Sequence, residues 1–206
     1  MNSSALSAEA AAFAAIPIPT LRTARLILRE PRDSDAPAWE KLCQPLEVAK
    51  NTLRMPHPYP PGAALEWVAR LRQSHARGES FVFAVLVRDE PDGEGTLIGS
   101  AGLHVDPPHR HAEIGYVLGI DRWGKGYATE AARAIVEFGF GTLRLHRLHA
   151  GYYTRNPASG RVLEKLGFRE EGRRPQMYMR FGEWVDLVLV GMLRQEWERG
   201  GDTMRL

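Results

Sequence analysis

Three short stretches hold the residues whose types and spacing could do chemistry. The first is Arg122-Trp-Gly-Lys-Gly-Tyr-Ala-Thr-Glu-Ala. Gly124 and Gly126 let the backbone come close to a ligand, and Tyr127, Ala128 and Thr129 then open an amphipathic helix. The first amides of a helix lack partners within it and form the positive end of its dipole, so this turn is a cradle for phosphate or pyrophosphate. A plain glycine turn before a helix would read the same way. The dinucleotide fingerprint fits poorly, because Thr129 stands at its third glycine and no acid follows about 20 residues on. A P-loop is excluded, since no Gly-Lys-Ser/Thr is present.

The second stretch is Asn156-Pro-Ala-Ser-Gly-Arg-Val-Leu-Glu-Lys-Leu-Gly-Phe. It reads as a capped helix, with Asn156 at the N-cap, Pro157 in the first turn, Gly167 past the end, and Val162, Leu163 and Leu166 inward. Those roles explain Asn156, Pro157 and Gly167 without a ligand. The third stretch is His111–Leu118, where strand alternation puts His111, Glu113, Gly115 and Val117 on one face. Glu113 is then either a solvated strand carboxylate or an acid–base group. His109 and His111 are spaced for two zinc ligands, yet no Cys or carboxylate pair stands nearby, so no metal is expected.

These stretches need elements to hold them. Arg25–Arg29 reads as a strand, Asp33–Asp35 opens a helix through Trp39 and Leu42, and Leu65, Val68 and Leu71 mark another that stops near Gly78. Ser80–Arg88 is apolar on both faces, as a buried central strand should be. A turn over 89–95 leads to strands Leu97–Val105 and His111–Leu118, paired antiparallel through Asp106-Pro-Pro-His. The glycine turn follows, then a helix to about Leu143 with Ala128, Ala131, Ile135 and Phe138 inward and Glu130, Arg133 and Glu137 as exposed pairs. A strand His146–Tyr153, the capped helix and two closing strands complete the order, with Arg169–Arg174 expected as a solvated turn. This mixture predicts an α/β (α+β) sheet with helices on both faces. Trp39, Trp67, Trp184 and Trp197 are expected in the core or as groove walls, and Tyr59 with its Pro-rich loop as lining of an acceptor groove.

Composition narrows the class. The 206 residues are 44% hydrophobic and 25% charged, which is globular and predicts one domain over 21–199, a frayed, flexible arm over 1–20 that is transiently helical over Ala8–Ala15, and a short tail over 200–206. A net charge of +2 argues against nucleic acid as a partner. Only four of the 27 basic residues are lysines; the arginine excess suits phosphate or carboxylate partners, or simply reflects composition. The lone Cys43 fits a reducing, cytoplasmic setting. Neither a signal peptide nor a membrane span is expected: no Lys or Arg precedes Arg22, Glu9 interrupts the Ala-rich start, and Pro17 and Pro19 follow it.

Five motifs in order resemble the GNAT superfamily of N-acetyltransferases, in particular its RimJ/RimL-like, ribosomal-protein N-acetyltransferase branch. They are Leu21–Arg29, Ile98-Gly-Ser-Ala-Gly-Leu, Ala112-Glu-Ile-Gly-Tyr, the Trp123-to-Ala131 turn and helix start, and Asn156-x-x-Ser followed by Glu164-Lys-Leu-Gly-Phe. The resemblance implies a GNAT fold: a mixed, mostly antiparallel sheet with a splayed middle and helices on both faces. It implies acetyl-CoA as co-substrate, without metal, and direct transfer to a primary amine. It sets the pyrophosphate over Trp123, Gly124, Lys125, Gly126, Tyr127, Ala128 and Thr129, and Asn156 and Ser159 farther along the cofactor. It implies that a backbone amide at Val117 or Leu118 polarises the thioester. Trp123 stands at the family's usual Gln/Arg position, so the phosphate would rest on amides and Lys125.

The resemblance places Glu113 where some relatives keep a base, acting directly or through water. Many have a helix tyrosine that protonates the leaving thiolate, and Leu163 occupies that position here. Leucine has no proton to give. Ser159 is the remaining hydroxyl near the sulfur, suited first to orientation and second to proton relay, and solvent can finish protonating a thiol whose pKa is near 8.5. The leading acceptor is a protein N-terminal α-amine. A small-molecule amine is the main rival, and an acyl-CoA sensor without turnover is a third reading. Relatives in this branch often form homodimers.

Overall fold

The computed structural model describes residues 3–88 and 95–203, with side chains over 8–88 and 95–200. The turn expected over 89–95 lies, but for Gly95, outside the described residues. The chain begins with α1 (Ser3–Ala14), β1 (Leu21–Arg22), β2 (Leu26–Arg29), α2 (Ala36–Cys43), α3 (Leu46–Lys50) and α4 (Ala63–Ala76). β3 (Ser80–Val87), β4 (Thr96–Asp106) and β5 (His111–Leu118) follow, then α5 (Tyr127–Glu137) and β6 (Arg147–Tyr153). The chain closes with α6 (Pro157–Lys165), β7 (Arg169–Arg180), β8 (Glu183–Leu193) and α7 (Arg194–Thr203).

The strands form one sheet in the order β1-β2-β3-β4-β5-β6-β8-β7. Its neighbours are antiparallel except β5 and β6. β5 keeps β4 along its whole length, and β6 keeps β8 from Arg147 to Tyr153. Between β5 and β6, however, pairing covers just His111↔Arg147, Ala112↔Leu148 and Glu113↔His149. Beyond those three pairs the strands part, which is the splayed middle the resemblance implies.

Alternation decides what each face carries. Ala112, Ile114 and Leu118 of β5 and Leu148 and Ala150 of β6 are buried in one cluster with Ala131, Ile135 and Phe138, so α5 and α6 lie on that side. Val117 points the other way, against Trp39, Cys43, Tyr59 and Ala64, with α2 and α4. Trp39 stacks on Trp67 with ring centroids 4.6 Å apart. Burial pushes the Cys43 thiol up to about 12, leaving it protonated and unreactive.

Four expectations change here. Instead of a frayed arm, residues up to Ala14 form α1, because Phe13 is buried in the main cluster and α1 packs where a Cβ on Gly78 would stand 2.2 Å from the Ala10 carbonyl oxygen. Arg169–Arg174 is not a solvated turn but the first half of β7, kept paired to β8 across bulges at Glu170/Gly172 and Arg174/Tyr178. Trp184 is exposed rather than core or groove wall, on the outer side of the β7–β8 hairpin, while Trp197 stacks on Phe140. At the other end, α7 runs past the expected boundary at 199. No helix among the described residues is long and apolar enough to cross a membrane.

Candidate active site

The glycine turn folds as its residues require. Gly124 and Gly126 have φ of +72° and +80°, a left-handed conformation that disfavours any side chain, and Gly126 is the N-cap of α5. No side chain caps the helix, and its first internal bond runs from the Glu130 amide to the Gly126 carbonyl, so the amides of Tyr127, Ala128 and Thr129 face outward. Lys125 is exposed beside them.

What fixes this turn comes from the far end of the sequence. Glu130, expected in an exposed helical pair, instead takes bonds from the Thr23 hydroxyl (2.6 Å), the Arg25 amide (2.8 Å) and Arg25 Nε (2.7 Å). Burial alone would raise its carboxyl, yet these bonds from Thr23 and Arg25 hold it below the usual carboxylate range. Arg25 also donates to the Lys125 carbonyl (3.0 Å) and lies over the Tyr127 ring at 4.5 Å. Thr23 and Arg25 lie within one of the quoted motifs, but nothing in the sequence shows a partner about a hundred residues away.

The end of β5 is held in turn by Trp123, whose Nε1 donates to the Leu118 carbonyl at 2.8 Å. The Gly119 amide bonds to Ile98 of the neighbouring edge. Antiparallel alternation therefore turns the amides of Tyr116 and Leu118 toward the gap between β5 and β6, and that of Val117 toward β4. Of the two candidate amides, Leu118 is the one directed into the gap.

α6 sits over this gap. The Asn156 side chain accepts from the Ser159 amide at 3.3 Å, confirming the N-cap, and the Phe168→Leu163 and Gly167→Glu164 backbone bonds close the other end around Gly167. Each splayed strand offers α6 a tyrosine. From β5, the Tyr116 hydroxyl lies 2.9 Å from Ser159 Oγ and 3.0 Å from the Ser159 carbonyl oxygen. From β6, Tyr152 packs so closely that a Cβ on Gly160 would meet its ring at 2.7 Å. Leu163 is buried in the core and contributes no polar group.

On the opposite side of the gap lies a cavity of ≈ 550 Å³. Glu113, exposed, lines it with His111, Arg147, His149, Glu171 and Arg174. The register sets His104 and His149 on either side of Glu113. Burial pushes the His149 imidazole below its ordinary range, against the pull of the Glu113 carboxylate, so the ring is neutral at pH 7. His111 stands edge-on to His149 at 5.2 Å and stacks with His109 at 5.8 Å. Arg147 is ion-paired with Glu171.

Tyr59 is buried beside Trp39 instead of lining this cavity; Asn51 and Leu53 take that place. His149 and Tyr116 were missed by sequence reasoning. Alternation along His146–Tyr153 gives the face of His149, but the parallel register that brings it to Glu113 has no local signal.

Residues 25–169 match the family model of the acetyltransferase (GNAT) domain. An uncharacterized N-acetyltransferase of Bacillus subtilis is 32% identical over 178 residues, covering 86% of this chain and 98% of that protein. The [ribosomal protein uS5]-alanine N-acetyltransferase of Escherichia coli is 31% identical over 199 residues, 90% of this chain and 96% of its own. Among solved structures, a GNAT-family acetyltransferase from Bacillus anthracis superposes with a TM-score of 0.74 at 27% identity, covering 86% of this chain and all of that one. With this fold and these relatives, the chain belongs to the GNAT acetyltransferases and is an acetyl-CoA-dependent N-acetyltransferase.

Proposed function

We propose that the acceptor is the N-terminal α-amine of a protein or peptide, entering the cavity on the Glu113 side while acetyl-CoA approaches from the α5–α6 side. The observation that carries this reading is the cavity itself, which meets the gap on the face away from the helix starts and holds an exposed carboxylate. Its charged lining sets Glu113 and Glu171 against Arg147 and Arg174, a balance that offers no excess of anions to a polyamine. An extended peptide needs no such excess. A relative that acetylates the alanine of ribosomal protein uS5 adds support.

On the donor side, the outward amides of Tyr127, Ala128 and Thr129 suit a pyrophosphate, with Gly124 and Gly126 leaving room for it and Lys125 adding charge. Trp123 acts indirectly, by fixing the end of β5. Asn156 caps the first turn of α6 and so fixes the Ser159 backbone. The Leu118 amide then faces the oxygen that gains negative charge as the amine adds to the thioester carbon. Glu113 removes a proton from the amine, directly or through water. As the carbon–sulfur bond breaks, its electron pair stays on sulfur; Ser159 donates a hydrogen bond to it and solvent supplies the proton. The proton taken by Glu113 returns to solvent, so the balance closes.

The test is CoA release measured against peptides beginning with Ala, Ser or Met, and against spermidine and an aminoglycoside. Transfer to the peptide α-amine supports the reading. Transfer confined to a small amine replaces it with a metabolite enzyme, and acetyl-CoA binding without transfer to any acceptor favours the sensor.

A further inference from the structure

Leu163 leaves α6 without the hydroxyl that many relatives carry, and the structure brings a tyrosine from β5 against the helix one turn earlier, at Ser159. Tyr116 reaches Ser159 from β5, two residues before the Leu118 amide. Its phenol has one proton and two acceptors in range, the Ser159 hydroxyl oxygen at 2.9 Å and the Ser159 carbonyl oxygen at 3.0 Å.

The choice between them determines what Ser159 can do. If the phenol donates to the carbonyl, the serine hydroxyl turns its own hydrogen onto the phenol oxygen and has none left for a ligand. If the phenol donates to Oγ, the serine hydrogen is free to point into the gap. A negative charge arriving in the gap selects the second arrangement, because a hydrogen bond to a charged acceptor is roughly twice as strong as a neutral one.

We propose that Tyr116 is the positioning residue for the leaving thiolate: by donating to Ser159 Oγ it releases the Ser159 hydrogen to bond the sulfur as the thioester breaks. The proposal rests on the reading of Ser159 given above. Tyr116 itself keeps its proton throughout. Burial pushes its phenol up to about 12, against the effect of the Ser159 bond, whereas a thiol titrates near 8.5, so handing a proton outright from tyrosine to thiolate would run uphill. Electron pair and negative charge stay on sulfur until water protonates it. The hydroxyl missing at Leu163 is thus replaced by a strand tyrosine acting through a helix serine.

Tyr116→Phe keeps the ring and removes the donor. It should lower kcat about fivefold, the value of the one neutral hydrogen bond that holds the Ser159 hydroxyl turned toward the sulfur, with KM for acetyl-CoA and calorimetric CoA affinity within about twofold of the parent. Ser159→Ala should lower kcat at least as far, and Tyr116→Phe added to Ser159→Ala should cost nothing more. A merely structural tyrosine would slow the enzyme equally with or without Ser159. Two results overturn the proposal: an unchanged kcat in Tyr116→Phe, or an undiminished loss in the Ser159→Ala background. If Ser159→Ala itself leaves kcat unchanged, the reading of Ser159 falls as well, which separates the two failures.

Discussion

Glu113 is placed by two independent rules, strand alternation and register, and only the first can be read from the sequence. Alternation gives its face; pairing with β4 and β6 gives its neighbours His104 and His149. A parallel register between strands separated by a helix is settled by global packing, so nothing local in His146–Tyr153 points His149 at Glu113; the fold places it in the cavity. Its neutral imidazole leaves Glu113 as the anionic partner for an incoming ammonium. Glu113→Gln should lower kcat/KM about a hundredfold near neutral pH, within the usual range for a general base. The loss should shrink at pH 9 and above, where an α-amine with a pKa near 8 deprotonates unaided. Steady-state rates from pH 6.5 to 9.5 decide this, and a loss constant across that range would make Glu113 a positioning group instead. Tyr116 escaped notice for a related reason: it sits on the strand face that alternation assigns to the core, where a tyrosine reads as packing.

At the scale of elements, the sequence was most legible where a motif is local. The glycine turn, the Asn156 N-cap and the Gly167 stop are each written within a few residues, and each folds as its capping chemistry requires. The brace on that turn is not local. Glu130 looked like one member of an exposed helical pair, and only the packing of β1 and β2 beside α5 supplies Thr23 and Arg25. Gly126→Glu should abolish acetyl-CoA binding by calorimetry, since it puts a negative charge and bulk where the pyrophosphate would lie. Gly126→Ala is the control for backbone strain; it should cost about 1 kcal/mol of stability at φ +80° and keep measurable binding. Equal affinities for Gly126→Glu and the parent would remove the turn from the site. Glu130→Gln keeps the shape but loses the charge and opposes an amide to Arg25. It should destabilise the protein by about 1–3 kcal/mol in urea unfolding and weaken CoA binding severalfold. A loss of stability with full CoA affinity would show that the brace serves the fold alone.

For the whole molecule, fold class and the succession of elements along the chain were legible because hydrophobic periodicity repeats along it, while the order of the last strands in the sheet and the fate of the chain's ends were not. Phe13 lies in a segment whose composition alone reads as an arm, and it is buried only because the Gly78 turn leaves room for α1. The splayed middle has a further consequence for how the molecule breathes. Among the described residues, β5 and β6 pair over three residues only, extended by one backbone bond from the His146 amide to the Arg110 carbonyl (2.7 Å). Deuterium uptake should therefore be uneven along a single sheet. Amides of Tyr116 and Leu118, turned toward the gap, should exchange quickly in the free protein, whereas those of β3, paired on both sides, should exchange slowly. Acetyl-CoA at a hundred times its Kd adds about 2.7 kcal/mol to global stability, and its local signature should be slowed exchange on both lips of the gap at once. Slowing on β5 alone would mean that the two halves still move apart with ligand bound. Slowing on both would make the co-substrate a transient mortar between two leaves of one sheet, so that the enzyme is most fully folded while loaded and loosens again each time it lets its product go.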